Sequence, residues 1–289
     1  MDPDGYDSFY QRSAACLINN VERREMTTSD LFGLEGKVAV IVGAASGIGR
    51  AVAMGCAKYG AEVHCLDVNG EEADVIADRI RSEGADAHWE QLDIRDADAV
   101  DRSFDGIVTR SGQIDVVVCT PSVNVRKSIL AYTSEEFDHV ISVNLKGSFN
   151  VMQAAGRHMT NRGSGNIVLF SSIRSQVVEP GQSVYAATKA GIVQMMRTAA
   201  AEFGPSGVRV NAIAPGVVET PLTAPIKANQ DWYRAYATKN ILDRWAEASE
   251  MVGPVLFLVS EAASYVTGTV LFVDGGWTAI DGRFQPPGV

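Results

Sequence analysis

The stretch KVAVIVGAASGIGR, residues 37–50, decides the fold of this chain. Its first half is a run of mostly β-branched residues, typical of a buried strand, and its second half carries glycines at positions 43, 47 and 49. A strand that turns in this way into a helix leaves backbone amides free to meet a pyrophosphate, next to the positive end of the helix dipole. We therefore interpret the turn as a dinucleotide phosphate loop rather than an ordinary tight turn, formed by Gly43, Ser46, Gly47, Ile48 and Gly49.

Six further strand-like runs follow along the chain, at residues 62–67, 87–93, 114–119, 165–172, 208–215 and 269–274. Several of the segments between them carry apolar residues at helical spacing and end at glycine. Strands that alternate with helices predict right-handed crossovers and a parallel sheet covered on both faces. We expect a single α/β domain over residues 34–277, a three-layer doubly wound parallel sheet of about seven strands. Residues 1–33 are expected to form an arm, either a packed helix or a flexible leader, and residues 278–289 a C-terminal tail.

Composition excludes several classes of function. A net charge of −10 over 289 residues argues against a nucleic-acid partner, because binding phosphates requires a basic surface. No apolar run is long enough to span a membrane and the N-terminus does not read as a secretory signal, so we expect a cytoplasmic protein. The four cysteines and four histidines are scattered without metal-ligand spacing. They predict reduced core cysteines and no metal site.

Asp67 ends the second predicted strand, eighteen residues after Gly49. An acid there can accept hydrogen bonds from an adenosine ribose and would repel a 2′-phosphate, so the predicted cofactor is NAD rather than NADP, with Val68 beside it. Alternatively, Asp67 is only a turn residue. Asp93 and Ile94, at the end of the third strand, either bracket the adenine or form part of a surface loop.

Tyr185 and Lys189 lie one turn apart in a run that is otherwise typical of a helix. Lowering a tyrosine pKa from near 10 to about 7 requires roughly 4 kcal/mol of preferential stabilisation of the phenolate. A cation about 4 Å away supplies about that much at an effective dielectric constant near 20. Such a pair could act as a proton donor in carbonyl reduction or alcohol oxidation, although a Tyr/Lys pair at this spacing is also common by chance.

Together, the glycine loop, Asn144, Ser172, Tyr185-x-x-x-Lys189 and Pro215-Gly216 with Thr220 resemble the short-chain dehydrogenase/reductase family over roughly residues 34–277. Ser172 precedes Tyr185 by thirteen residues, as is usual for the catalytic pair of that family. The resemblance implies a Rossmann fold and, by family habit, a homotetramer.

The resemblance also implies a role for each matching residue. Tyr185 would be the general acid or base, Ser172 would hydrogen-bond the substrate oxygen, and Asn144 would anchor a water. Lys189 would lower the tyrosine pKa and hold the nicotinamide ribose. Further cofactor contacts are expected at Cys119, Thr120, Pro121, Tyr185, Lys189, Pro215, Gly216, Val218 and Thr220.

Two departures from the family pattern leave alternatives open. Cys119-Thr120-Pro121-Ser122 stands where the family usually has Asn-Asn-Ala-Gly, so Ser122 adds bulk and Pro121 removes a backbone donor. We interpret this as tolerated variation; the alternative is a catalytically silent NAD-binding scaffold or sensor. Ser46 replaces the arginine common in ketoacyl reductases of the family, which disfavours the second alternative, an NADPH-dependent carbonyl or 3-ketoacyl reductase.

The segment over residues 217–250 is long, punctuated by prolines and rich in aromatic residues, which is typical of a substrate lid. Trp232, with Tyr233 and Tyr236, either lines the pocket or packs in a core. Arg174 and Gln182, near the catalytic positions, are the other substrate candidates. Their polarity favours a sugar, sugar acid, polyol or hydroxy acid, although solvent exposure explains it equally well. The expected reaction is NAD-dependent oxidation of a secondary alcohol to a ketone.

Overall fold

The computed structural model describes residues 31–280, so nearly all of the predicted N-terminal arm and most of the C-terminal tail lie outside the described residues. Within this range the strands are β1 (Val38–Val42), β2 (Glu62–Asp67), β3 (Ala87–Gln91), β4 (Val116–Cys119), β5 (Gly165–Phe170), β6 (Val208–Pro215), β7 (Val218–Glu219), β8 (Ala246–Glu247) and β9 (Val270–Val273). Seven of them form one parallel sheet in the order β3-β2-β1-β4-β5-β6-β9. The predicted doubly wound sheet is confirmed.

The helices are α1 (Gly47–Lys58), α2 (Gly70–Ser82), α3 (Ala97–Ser111), α4 (Ser134–Ile141), α5 (Ser148–Arg162), α6 (Ser183–Phe203), α7 (Ala224–Lys227), α8 (Gln230–Ala237) and α9 (Val252–Val259). They cover both faces of the sheet because successive strand residues point to opposite sides. Ala39 and Ile41 of β1 join a core with α1, α2 and α9, whereas Val38, Val40 and Val42 join a core with α3, α5 and α6. The result is one domain of three layers.

The strand order reverses beside β1. The chain passes from β1 to β2 and β3 on one side and then returns through α3 to β4 on the other side. Connections that diverge in this way open a crevice at the carboxyl ends of the two strands, which is where open parallel sheets bind ligands.

A π-helical turn, Ser142–Gly147, joins α4 to α5. Turns of this kind are rare and are frequent at functional sites. Gly147 ends the turn and packs closely on the loop after β3, since a Cβ there would lie 2.5 Å from Ile94 Cδ1. The turn brings Asn144 under the carboxyl ends of the central strands.

Residues 217–250 form a small substructure of their own beside the sheet. It contains the two-stranded β7–β8 pair, α7 and α8. Ile226, Tyr236 and Trp245 form its buried core, and Tyr233 stacks on Trp245 with ring centroids 5.0 Å apart. Tyr233 and Tyr236 therefore pack in a core, while movement of this segment as a lid stays a prediction.

Candidate active site

A cleft of about 610 Å³ lies at the carboxyl ends of the central strands. Every predicted cofactor residue except Cys119 lines it, together with Ser172. Cys119 is buried beneath the cleft, with its thiol 3.9 Å from the Ser148 hydroxyl. The sheet thus brings residues from seven separate segments of sequence to one surface.

The glycine loop forms the tight wall of this cleft. Gly43 and Gly47 have positive φ angles of 86° and 52°, which glycine adopts without steric cost. At Gly49 a Cβ would lie 2.0 Å from the Gly43 carbonyl oxygen, so the turn closes only without a side chain there. No side chain caps the first turn of α1, and its amides stay available to a ligand. The loop therefore fits a dinucleotide pyrophosphate.

Asp67 joins the end of β2 to the glycine loop. Its carboxylate accepts hydrogen bonds from the Ala45 amide at 3.0 Å and from the Asn69 amide at 2.9 Å. The second bond is a turn contact, and the residue also lines the cleft. Asp67 is therefore a turn residue, and it also presents a negative charge to the cleft.

Asp93 lines the same end of the cleft but is paired with an arginine. It accepts hydrogen bonds from the Arg95 amide at 3.0 Å and from the Arg95 Nε at 2.9 Å. The guanidinium holds the pKa of Asp93 below its usual value. Arg95 also lines the cleft and was not found from the sequence, since a single exposed arginine after a strand carries no signal.

Ser172, Tyr185 and Lys189 meet at the inner end of the cleft. Ser172 follows β5, and its hydroxyl accepts a hydrogen bond from the Arg174 amide at 3.1 Å. Lys189 is buried on α6, one turn after Tyr185, with its Nζ 5.5 Å from the Tyr185 ring centroid. That Nζ donates to the Phe170 carbonyl at 2.9 Å. The helical spacing therefore places the ammonium beside the phenol ring and anchors it to β5.

Electrostatics at Tyr185 differ from the sequence-based expectation. Burial raises the pKa of Tyr185, while the Ser172 hydroxyl, the nearby Ser122 hydroxyl and the charges of Arg174 and Arg126 act to lower it. Burial also lowers the pKa of Lys189 to about 8, so its charged form is itself disfavoured. The two arginines are therefore cations that act on the phenol from outside its own helix.

Asn144 is fully buried and uses its amide within the protein. Its Oδ1 accepts from the Val123 amide at 2.8 Å, and its Nδ2 donates to the Val123 carbonyl at 2.9 Å and to Thr188 Oγ1 at 3.2 Å. The side chain thus ties the segment after β4 to the π-helical turn and to α6. Asn144 does not line the cleft and acts on it through these contacts.

The predicted substrate residues lie outside the cleft lining, in a polar network around Glu179. Arg174 is 7% exposed and forms an ion pair with Glu179, and Gln182 donates to the same carboxylate at 2.6 Å. Arg126 pairs with it from the other side at 3.1 Å. Trp232 is half exposed, with the Arg126 guanidinium 5.6 Å from its ring centroid.

Sequence reasoning missed Glu179 and Arg126, because these two residues lie 53 positions apart along the chain and only the fold brings them together. It also missed two polar atoms beside the cleft. Ser122 Oγ and Asn124 Oδ1 are buried, and no described residue forms a full hydrogen bond with either. Buried polar atoms nearly always have a hydrogen-bond partner, so these two indicate where water or a polar substrate could bind. No helix among residues 31–280 is both long and apolar enough to cross a bilayer.

The fold and the cleft define a dinucleotide-binding α/β protein with a tyrosine, a serine and a lysine at its centre. Residues 43–278 match the family model described as enoyl-(acyl carrier protein) reductase. The chain belongs to the short-chain dehydrogenase/reductase family of oxidoreductases.

Its relatives differ in the substrates that they are named for. The chain is 35% identical to gluconate 5-dehydrogenase of Gluconobacter oxydans (strain 621H), over 88% of this chain and 99% of that protein. It is 38% identical to the 3-oxoacyl-(acyl-carrier-protein) reductase FabG of Thermotoga maritima, over 84% and 98%. A crystal structure of a gluconate 5-dehydrogenase from Burkholderia cenocepacia J2315 in complex with NADP and tartrate superposes with a TM-score of 0.85 at 33% identity, covering 88% of this chain and all of that one.

Proposed function

We propose that this protein is an NAD(H)-dependent oxidoreductase that interconverts a secondary alcohol and a ketone. The observation that carries the proposal is the shared position of Tyr185 and Ser172 in the cleft that the glycine loop opens. A dinucleotide on that loop would extend along the carboxyl ends of the strands toward both hydroxyl groups.

Each residue at the inner end of the cleft then has a distinct role. Tyr185 exchanges a proton with the substrate oxygen, and Ser172, whose own oxygen already accepts from the Arg174 amide, donates its hydroxyl proton to that oxygen. Lys189 holds a positive charge close to the phenol and to the site expected for the nicotinamide ribose. The bound cofactor supplies the hydride exchange, and the protein supplies position and the proton. Asn144 is a positioning residue that fixes α6 against the segment after β4.

Asp67 supports NAD as the cofactor. Its carboxylate faces the cleft at the end of β2, where a 2′-phosphate would bring a second negative charge beside it. The specific alternative is NADP, favoured by the Burkholderia complex and by Arg95 at the same end of the cleft. The Arg95 guanidinium is already paired with Asp93, which favours NAD again.

The charge around Tyr185 supports a hydroxy acid, such as a sugar acid, as the substrate. Arg174 and Arg126 both act electrostatically on the phenol, and they share the single carboxylate of Glu179, which leaves one net positive charge. Ser122 Oγ and Asn124 Oδ1 offer polar partners for substrate hydroxyls. The relatives named for gluconate, and the tartrate in the Burkholderia structure, agree with this class.

Two further parts of the proposal rest on the family resemblance, namely a homotetramer and a cytoplasmic location. The buried, unpaired thiols of Cys56, Cys65 and Cys119 are compatible with a reducing compartment. Ile129 and Leu130 expose 72% and 100% of their surface, as residues of a subunit interface do in an isolated chain. Sedimentation of the purified protein tests the assembly.

The experiment that tests the proposed function is a paired substrate panel. Hydroxy acids and the neutral polyols of matching carbon number are assayed with NAD and with NADP, by absorbance of the reduced cofactor. We expect turnover with NAD and a roughly tenfold or greater preference in kcat/KM for the acid of each pair. Arg126→Met should reduce that preference, whereas Arg102→Met, at an exposed position outside the cleft, should not.

The outcomes separate the parts of the proposal. Equal use of neutral and acidic substrates would leave the oxidoreductase in place and remove the hydroxy-acid assignment. A preference for NADP would overturn the cofactor assignment alone. Binding of NADH without turnover of any substrate would favour the catalytically silent alternative.

A further inference from the structure

Three potential metal ligands meet on one face of the sheet edge formed by β2 and β3. His64 and His88 are register partners on these parallel strands, so their side chains emerge on the same face. Glu62 precedes His64 by two residues and therefore shares that face. The ligand spacing is invisible along the chain, because His88 lies 24 residues after His64 and only the strand register brings them together.

The distances among these side chains suit a small cation. Glu62 Oε1 lies 3.1 Å from His64 Nε2 and 3.4 Å from His88 Nε2, and the three ligand atoms all lie within 4.8 Å of one another. A tetrahedral zinc ion with bonds of about 2.0–2.1 Å places its ligands roughly 3.3 Å apart. The two distances from Glu62 Oε1 to the histidine nitrogens are already close to that value. Small side-chain rotations would therefore complete the site.

Hydrogen bonds already hold the three side chains close together. His64 Nε2 lies within hydrogen-bond distance of Glu62 Oε1, at 3.1 Å. Ser111, at the end of α3, donates to Glu62 and lies 2.9 Å from His64 Nε2. These contacts hold the ligands together before any cation arrives.

Access and ligand type indicate which cation would bind. The His88 side chain is 36% exposed and the Glu62 side chain 27%, so an ion can enter from solvent while His64 closes the inner side. Two imidazoles with one carboxylate suit zinc and its neighbours cobalt and nickel better than magnesium or calcium. Asp67 lies three residues after His64 on β2, a separation of about 10 Å at the rise of a strand. The cluster is therefore separate from the hydride site.

We propose that Glu62, His64 and His88 form a divalent transition-metal site that joins β2 to β3, with a water or the Ser111 hydroxyl as the fourth ligand. The site is structural, because a cation there would link the edge strand β3 to its neighbour β2 at the end remote from the cleft. The inference runs against the expectation of no metal site from the sequence, and it stands independently of the proposed reaction.

The test uses the full-length chain without an affinity tag, in a Cys16→Ser background that removes a thiol outside the described residues. The protein is stripped with a chelator, titrated with zinc chloride by calorimetry, and titrated with cobalt chloride by visible absorption. We expect one zinc per chain, an intense tetrahedral cobalt spectrum, and a rise in Tm of about 5 °C or more at saturating zinc. The variants are His88→Gln and Glu62→Gln, which change partly exposed side chains and should leave the fold intact.

Loss of either ligand should weaken zinc binding roughly tenfold or more. The matched control is His158→Gln, because His158 also faces a carboxylate, Asp105, at 3.1 Å but has no second histidine in the cluster. His158→Gln should bind zinc as the parent chain does. Absence of stoichiometric zinc binding in the parent chain would overturn the site, as would equal affinities in the His88→Gln and His158→Gln variants.

Discussion

Replacing Asp67 by asparagine should shift cofactor preference toward NADP. The change removes one negative charge from the end of β2 and preserves the size of the side chain. In the parent protein the Ala45 amide donates to Asp67 Oδ2 at 3.0 Å. The asparagine oxygen can still accept this hydrogen bond, so the contact between the glycine loop and β2 is kept. The hydrogen bond from the Asn69 amide at 2.9 Å is the one that is lost.

The magnitude follows from the position of the carboxylate. If a 2′-phosphate bound about 5 Å away, each pair of unit charges would repel by roughly 1–3 kcal/mol for effective dielectric constants between 80 and 20. Because 1.4 kcal/mol corresponds to tenfold, the ratio of kcat/KM for NAD to that for NADP should fall roughly 10- to 100-fold. Comparing the two cofactors on one variant cancels any shared effect of the lost Asn69 bond.

The assay measures initial rates with each cofactor at one saturating substrate, or the affinity for NADH and NADPH by fluorescence. Asp98→Asn is the control, since Asp98 is an exposed acid of α3 that does not line the cleft. It should leave the ratio unchanged. A parent enzyme that already prefers NADP, or an Asp67→Asn ratio equal to that of the control, would refute the electrostatic reasoning.

Two other changes probe the loop and the buried lysine. Gly49→Ala places a Cβ 2.0 Å from the Gly43 oxygen and should weaken NADH binding roughly tenfold or more. The control is Gly106→Ala, on α3 with open space around its Cβ, which should instead stabilise the chain by about 0.5–1 kcal/mol. Similar NADH affinities in both variants would count against the role of the glycine loop. Burial lowers the pKa of Lys189 to about 8, from a value near 10.5 in the unfolded chain. Between these two pH values the unfolded chain binds more protons than the folded chain, so the Lys189 contribution to stability becomes more favourable as pH rises. Lys189→Met should therefore raise the free energy of unfolding of the cofactor-free chain by about 1–3 kcal/mol at pH 7, with a smaller gain at pH 10 and loss of turnover. Urea unfolding at the two pH values measures this, and a gain independent of pH would contradict it.

Much of the fold was predictable because its signals are local. β1 and the glycine turn occupy one continuous stretch, and most of the seven strands show a short apolar run bounded by turns. The predictions for β3, at residues 87–93, and for β5, at residues 165–172, each ran two residues too long at the carboxyl end. Leu92 and Asp93, like Ser171 and Ser172, leave the ladder and line the cleft. Strand ends that serve a site keep the composition of a strand, so their bounds cannot be read from composition.

The remaining features depend on contacts that are distant in sequence. Nothing in the stretch around Asn144 distinguishes a π-helical turn from an α-helix, because the difference is a single register of backbone hydrogen bonds. The Glu179 network joins residues from three segments, around positions 126, 174–182 and 232. The Glu62, His64 and His88 cluster exists only through the β2–β3 register. The raised pKa of Tyr185 likewise reflects three-dimensional burial, which a spacing of four residues does not reveal.

The decisive measurement is the turnover of Tyr185→Phe beside its affinity for NADH, with Tyr265→Phe, at a fully exposed tyrosine, as the control. If Tyr185 supplies the proton, the variant should lose roughly 10²- to 10⁴-fold in kcat while its Kd for NADH stays within about threefold of the parent value. The control should keep both constants. A Tyr185→Phe protein that turns over its substrate at a rate close to that of the parent would show that the phenol is not the proton donor.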